Sequence, residues 1–312
     1  MKLGFTLCAR WSLVIATTLA CLPTPLPATE NLVRRPYGEW ANLPEPGQFV
    51  ISPFFGMSEA YHAWEKSSIK NITVEIERED YGVDVIQGSI MIEYGIADRW
   101  AADLGVGYTS VGTRSFNPSG ASESTTGLMD TTFGVRYQIH REYESDYKWL
   151  PTIAFRAAGI VPGSYDKHFP FAPGNHSAGI EPSFIMRKHV GWQGFGLYGD
   201  LLYRYLTTSG DDQYAVAVGC FQEIKNWTIS FGYRHFQCLS GYDLVINVGE
   251  PLDYAPQARE IFDAIEVGFS YRTPKRHFKY AFDIKKVLDG SNTSSPFYLG
   301  AHADFPIGGK TK

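Results

Sequence analysis

Two short stretches of this chain hold residue types that could do chemistry. One is a histidine beside a serine, His176-Ser177, and the other is a glycine run, Gly194-x-Gly196-x-x-Gly199. A serine with a histidine in reach can run acyl transfer, the imidazole taking the hydroxyl proton as the oxygen attacks. Neighbours along a strand point to opposite faces, so these two cannot pair directly. The glycine run has dinucleotide-binding spacing, but that chemistry needs a strand entering a helix whose amides meet the phosphates. Here the run sits in a strand pattern ending in LLYRYL, which leaves the glycines a close-packing or bulge role. The eight histidines show no metal-ligand spacing, and Arg141 to Tyr147 (REYESDY) reads as a solvated turn. No catalytic, cofactor-binding or metal-binding residue is assigned.

The charges that do form a pattern are another set: Asp103, Asp130, Arg136, Arg156, Glu181, Asp200, Arg204, Arg234, Glu266, Arg272, Lys279 and Asp283. Each belongs to the polar face of a segment whose other face is apolar. Buried charges persist only when paired or wetted. The set therefore predicts either ion-pair ladders that fill an interior or a polar passage.

The segments that position these charges are strands. Residues 226–237 (NWTISFGYRHFQ) alternate Trp227, Ile229, Phe231 and Tyr233 with Thr228, Ser230, Gly232 and Arg234. Residues 261–272 repeat the pattern, with Asp263 the exception on a stripe of Ile265, Val267, Phe269 and Tyr271. Such strands of about ten residues, repeated behind an export signal, are the signature of an outer-membrane barrel. The fold expected is all-β, a transmembrane antiparallel up-and-down β-barrel of about 12 strands. The strands expected are 48–64, 83–96, 99–111, 127–139, 149–161, 177–187, 192–206, 213–223, 226–237, 261–272, 277–287 and 295–305. On the fourth, Met129, Thr131, Phe133, Val135 and Tyr137 are expected on the lipid side.

Links after odd strands are long or polar; those after even strands are mostly short, Arg141 to Lys148 excepted. Short periplasmic turns and longer extracellular loops have this alternation. Trp100, Trp149, Trp192 and Trp227 open strands three, five, seven and nine, which places their rings at the periplasmic membrane interface. Trp192 has the wrong parity for its strand, and a bulge near Gly194–Gly196 would repair it.

The flanks read differently. Residues 1–28 have the form of a signal peptide, with Lys2 and Arg10 ahead of or beside the apolar Trp11 to Leu22 and cleavage after Ala28. A lipoprotein box at Thr18-Leu-Ala-Cys21 is the alternative. Residues 29–47, polar and broken by proline, form a periplasmic segment or a plug; 48–305 form the barrel and 306–312 a tail. Cys220 and Cys238 lie on successive strands, Cys220 facing roughly residue 229. That puts the sulfurs on the order of 30 Å apart at the strand rise, too far for a disulfide, with Cys220 toward lipid. No run of eighteen apolar residues occurs, and a net charge of -5 without a basic cluster gives no reason for a nucleic-acid partner. Tyr298-x-Gly300-x-x-Ala303-x-Phe305 resembles the C-terminal signal read by barrel-assembly machinery.

Two stretches carry a family resemblance. Gly127-Leu-Met-Asp130-Thr-Thr-Phe-Gly134-Val-Arg-Tyr137 and Leu150-Pro-Thr-Ile-Ala-Phe-Arg-Ala-Ala-Gly-Ile-Val-Pro-Gly163 resemble the outer-membrane transporter-like proteins named for the meta-pathway of phenol degradation. Met129 stands where that family has a second glycine, and Pro162-Gly163 lacks its threonine. The resemblance implies a barrel that passes small, often apolar molecules, and it brings no catalytic residues. The function expected is a passive channel or uptake protein of the bacterial outer membrane for small aromatic or hydrophobic molecules. Its partners would be outer-membrane lipid, a small-molecule solute and the assembly machinery. The alternatives are a lipid-modifying enzyme of deacylase or phospholipase type and a closed structural barrel.

Overall fold

The computed structural model describes residues 35–309, except 72–73, 77–78, 114–122, 145–146, 148, 167–173, 175, 192, 208–211 and 244–257. The signal segment, Trp192 and much of the longer loops lie outside the described residues.

Twelve antiparallel strands form the wall. They are β1 (Gln48–Ala60), β2 (Val83–Ala97), β3 (Trp100–Thr113), β4 (Glu123–Leu128 and Thr131–His140), β5 (Thr152–Val161) and β6 (Gly179–His189). The second half holds β7 (Phe195–Leu206), β8 (Gln213–Ile224), β9 (Trp227–Cys238), β10 (Ile261–Arg272), β11 (Lys279–Ser291) and β12 (Phe297–Gly308). Each strand pairs with its sequence neighbours, and β1 also pairs with β12, from Gln48 opposite Gly308 to Glu59 opposite Phe297. The sheet is therefore closed. Closure leaves no strand edge unpaired, which a wall in hydrocarbon requires. Among the described residues no helix is long and apolar enough to cross a membrane.

Alternation decides which way each strand faces. On β9, Trp227, Ile229, Phe231 and Tyr233 are exposed on the outer wall, while Ser230 is buried within. At the periplasmic rim, cross-strand aromatic pairs form a girdle: Phe49–Tyr94, Trp100–Tyr137 and Trp227–Tyr271, with ring centres 4.5, 4.7 and 4.8 Å apart. Amphipathic rings favour that interface. A closed barrel with an apolar outer wall and aromatic girdle is an outer-membrane protein.

Several details differ from the sequence expectation. β1 stops at Ala60 instead of Trp64, and His62–Glu65 folds back on Ser68–Asn71 as a hairpin. Trp64 of that hairpin is buried in one apolar cluster with Phe236, Phe262 and Val287 on the inner wall. β4 is interrupted at Met129 and Asp130, both of which are buried, so Met129 is not on the lipid side. Two successive inward residues, as at a bulge, restore the outward parity of Leu128 and Phe133. Trp149 is exposed in the link before β5 and does not open the strand. The tight turn at Ile224–Trp227 sets Cys220 opposite Phe231, two residues from the position expected. Both cysteines are free thiols, Cys220 on the outward parity and Cys238 buried.

Candidate functional site in the barrel lumen

The interior of the cylinder is occupied by the segment that precedes β1. Glu39–Ala41 make one 3-10 turn, entered through Gly38 in the left-handed region at φ 66°. A side chain on Gly38 would strike the carbonyl oxygen of Met186 and Cβ of Tyr198, so the turn can lie against β6 and β7 only with glycine there. The ring of Tyr37 lies over Gly268 of β10 in the same way. A short turn leaves carbonyls unsatisfied, and here wall side chains supply the donors. Arg187 Nη1 donates to the Tyr37 carbonyl at 2.9 Å, Arg136 Nη1 to that of Trp40 at 3.0 Å, and Gln138 Nε2 to that of Ala41 at 2.7 Å. Trp40 is fully buried, with the guanidinium carbons of Arg136 and Arg156 each 4.8 Å from its ring centre. Cations at that distance are attracted by the indole π face.

Around this turn the inward charges join into a continuous chain. Arg35 lies 3.7 Å from Asp304 and 2.7 Å from Glu93. Glu93 is bonded to Arg136, whose Nε is 3.5 Å from Asp103. Arg156 bridges Asp103 at 2.6 Å and Glu181 at 2.8 Å, and Glu181 accepts from Arg204 at 2.7 Å. Four guanidiniums thus alternate with four carboxylates across the inner wall. Each charge faces an opposite one, the condition on which a buried charge persists. Of the two arrangements the sequence left open, these contacts have the form of a ladder.

The remaining candidates from the sequence fall in other places. Arg234 pairs with Glu266 on the adjacent strand, and Asp283 accepts from or faces His302 Nδ1 at 3.1 Å. Lys279 binds Glu39 and has His302 Nε2 at 3.3 Å. Glu39, His302 and Asp304 lie close enough together to hold a metal ion, but the Lys279 ammonium already supplies the cation there. Burial raises the Glu39 pKa, but Lys279, Arg187 and Arg35 outweigh it and bring the carboxyl down to about 2. Asp200 has inward parity on β7 and is half-buried. Arg272 is exposed at the periplasmic mouth. Asp130 serves a loop: its Oδ1 accepts from the Gly163 amide at 2.8 Å and from the Tyr165 hydroxyl at 2.9 Å.

Alternation already sets Glu93 and Gln138 on the polar faces of β2 and β4, outside the charged set, whereas Arg35, Glu39, Trp40, Arg187, His302 and Asp304 were not selected. Parity alone could have found Asp304, two residues from His302 on β12. Nothing periodic marks the N-terminal turn.

The periplasmic mouth stays open on both sides of the strap Asn42–Pro46. One cavity of about 720 Å³ reaches Thr228, Ser270 and Pro306, and a second of about 580 Å³ reaches Asp98 and Thr152; both are lined by Asn42, Arg187 and His189. On the outer wall, Asp263 does not stand alone among apolar residues. His235 Nδ1 is 2.8 Å from it, the Tyr233 hydroxyl bonds to it, and Tyr214 Oη is 3.2 Å from His235 Nε2. This histidine bonds to a carboxylate and a phenol, so the contact is not the serine–histidine pair an acyl-transfer site needs. His176 lies before β6 with its ring edge-on to Tyr165, outside any strand face.

Residues 71–243, more than half of the chain, match the family described as the MetA-pathway of phenol degradation. The chain belongs to this family. Among solved structures it is similar to an outer-membrane channel from Pseudomonas putida F1, with a TM-score of 0.64 and 14% identity over 88% of this chain and 100% of that one. It is also similar to the KdgM porin, with a TM-score of 0.44 and 11% identity over 83% of this chain and 99% of that one. The translocator domain of the autotransporter NalP from Neisseria meningitidis gives 0.44 and 11% over 84% and 90%. At these identities the likeness is one of fold. No curated protein matches the chain.

Proposed function

We propose that this protein is a passive outer-membrane channel for small aromatic or hydrophobic molecules, held shut by its N-terminal segment. Residues 1–28 are removed on export, and residues 35–47 act as the plug. The observation that carries the reading is how the segment is seated. Three of its carbonyls accept from Arg187, Arg136 and Gln138, and Trp40 rests against two guanidiniums. These are separate side-chain contacts that can break one at a time, unlike a strand added to the sheet. A barrel of twelve strands falls between the small ones filled by side chains and the large ones with an open channel, so one short segment suffices to occupy it. The family resemblance and the aromatic inner cluster around Trp64 support an apolar solute.

Planar-bilayer recording and liposome swelling test the proposal on the intact chain and on a Trp40→Ala, Arg35→Ala variant. Intact protein should show small conductance; the released variant should gain severalfold in conductance and in uptake of phenol-sized solutes. A correctly folded variant with no flux of ions or solutes removes the channel reading.

A further inference from the structure

The larger periplasmic cavity has a charge opposite to that of the chain. The whole protein carries a formal charge of -5, yet this cavity is lined by six Arg or Lys side chains and four carboxylates. The pairing within it is uneven. Arg35 is held by Glu93 and Asp304, Lys279 by Glu39, and Arg187 by Glu223 at 3.0 Å. Lys225, Arg272 and Arg276 have no carboxylate partner among the described residues. Lys225 and Arg276 lie in two adjacent turns, between β8 and β9 and between β10 and β11, Arg272 ends β10, and all three are exposed. The strap, β1 and β12 add the apolar Leu43, Pro44, Val50 and Pro306 beside Glu45, Gln48 and Asp304, and Glu45 is the one lining carboxylate with no ion pair among the described residues.

We infer that this vestibule is a binding site for a small organic carboxylate with an apolar body. Arginine presents a planar fork that matches a carboxylate with two parallel hydrogen bonds, and its face stacks on rings. Lys225 adds a point charge, and the proline and leucine surface takes the hydrocarbon. A cavity of about 720 Å³ holds a single-ring acid with several waters. The site lies on the periplasmic side of the seated plug, so binding does not need an open pore. That the anion is cargo rests on the channel reading; that it binds does not.

Calorimetric titration of the folded, full-length mature chain tests this with benzoate as probe. Benzyl alcohol keeps the ring without the charge, and formate keeps the charge without the ring. Benzoate should bind saturably, at least tenfold more tightly than either, and more weakly as salt is raised. The combined Lys225→Gln, Arg272→Gln, Arg276→Gln chain, checked for heat-modifiable migration, should lose tenfold or more. The assignment is overturned if the alcohol or formate binds as well as benzoate, or if benzoate does not saturate the wild-type chain, a comparison that needs no variant. Benzoate binding without any solute flux would sink the channel reading alone; flux of neutral solutes without benzoate binding would sink this one alone.

Discussion

At the scale of single residues, the segment ahead of β1 is held by buried ion pairs. Glu39 shows how. Its carboxyl is held at about 2 because Lys279, Arg187 and Arg35 outweigh burial. A carboxyl whose pKa is lower when docked than when free stabilises docking above the free value and loses that contribution as pH falls through the docked one. Docking through Glu39 is thus constant from pH 8 to 5 and weakens below the ordinary value of 4.5 toward 2. Open probability measured against pH should rise in that acid range for the wild-type chain. The Glu39→Gln chain should already be raised at pH 7, and the two curves should converge at low pH. Parallel curves at all pH values would show that Glu39 does not hold the segment. Arg156 belongs to the same logic: both of its carboxylate partners are buried, so its loss would leave two carboxylates without it.

At the scale of elements, β4 is the informative strand. Its break at Met129–Asp130 turns a carboxylate toward the link after β5, where it collects the Gly163 amide and the Tyr165 hydroxyl. Asp130→Ala leaves a buried donor without its acceptor, which costs about 1–3 kcal/mol. Hydrogen exchange at Gly163 should accelerate while amides of β5 below Ile160 keep their protection; unchanged exchange would place the anchor elsewhere. This break also marks where sequence reading failed. Alternation is legible wherever a strand is regular, so the facing of β9 and β10 was readable from Trp227 to Arg272. An extra inward residue flips the count, and nothing in the text Leu128-Met129-Asp130 announces it. The early stop of β1 has a similar cause: Trp64 is as apolar as a lipid-facing residue, but it packs inside, in the cluster with Phe262. The ladder was half legible, because Asp103, Arg136, Arg156, Glu181 and Arg204 sit on regular strands. Trp40 and Glu39 were not, because a single 3-10 turn between prolines has no period to read.

At the scale of the whole molecule, the outer wall is the part that solvent must not reach. Phe231 lies mid-strand on β9 and is exposed only to the bilayer. A charge there costs about 2–4 kcal/mol, falling to about 0–1 near the interfaces. Urea titration in lipid vesicles should find Phe231→Arg destabilised by that larger amount and Tyr271→Arg, at the periplasmic rim, by much less; equal losses would contradict the bilayer position of the belt. The seam between β1 and β12 has a further consequence. The last strand made must meet the first one before the cylinder exists, and the stopper leads directly into that first strand, tied by the Gly47 amide to the Gly95 carbonyl at 2.7 Å. The segment is therefore anchored at the periplasmic end of the wall. In the proposed channel the segment would swing about this tether, so the hinge of opening lies at the periplasmic end of the first strand.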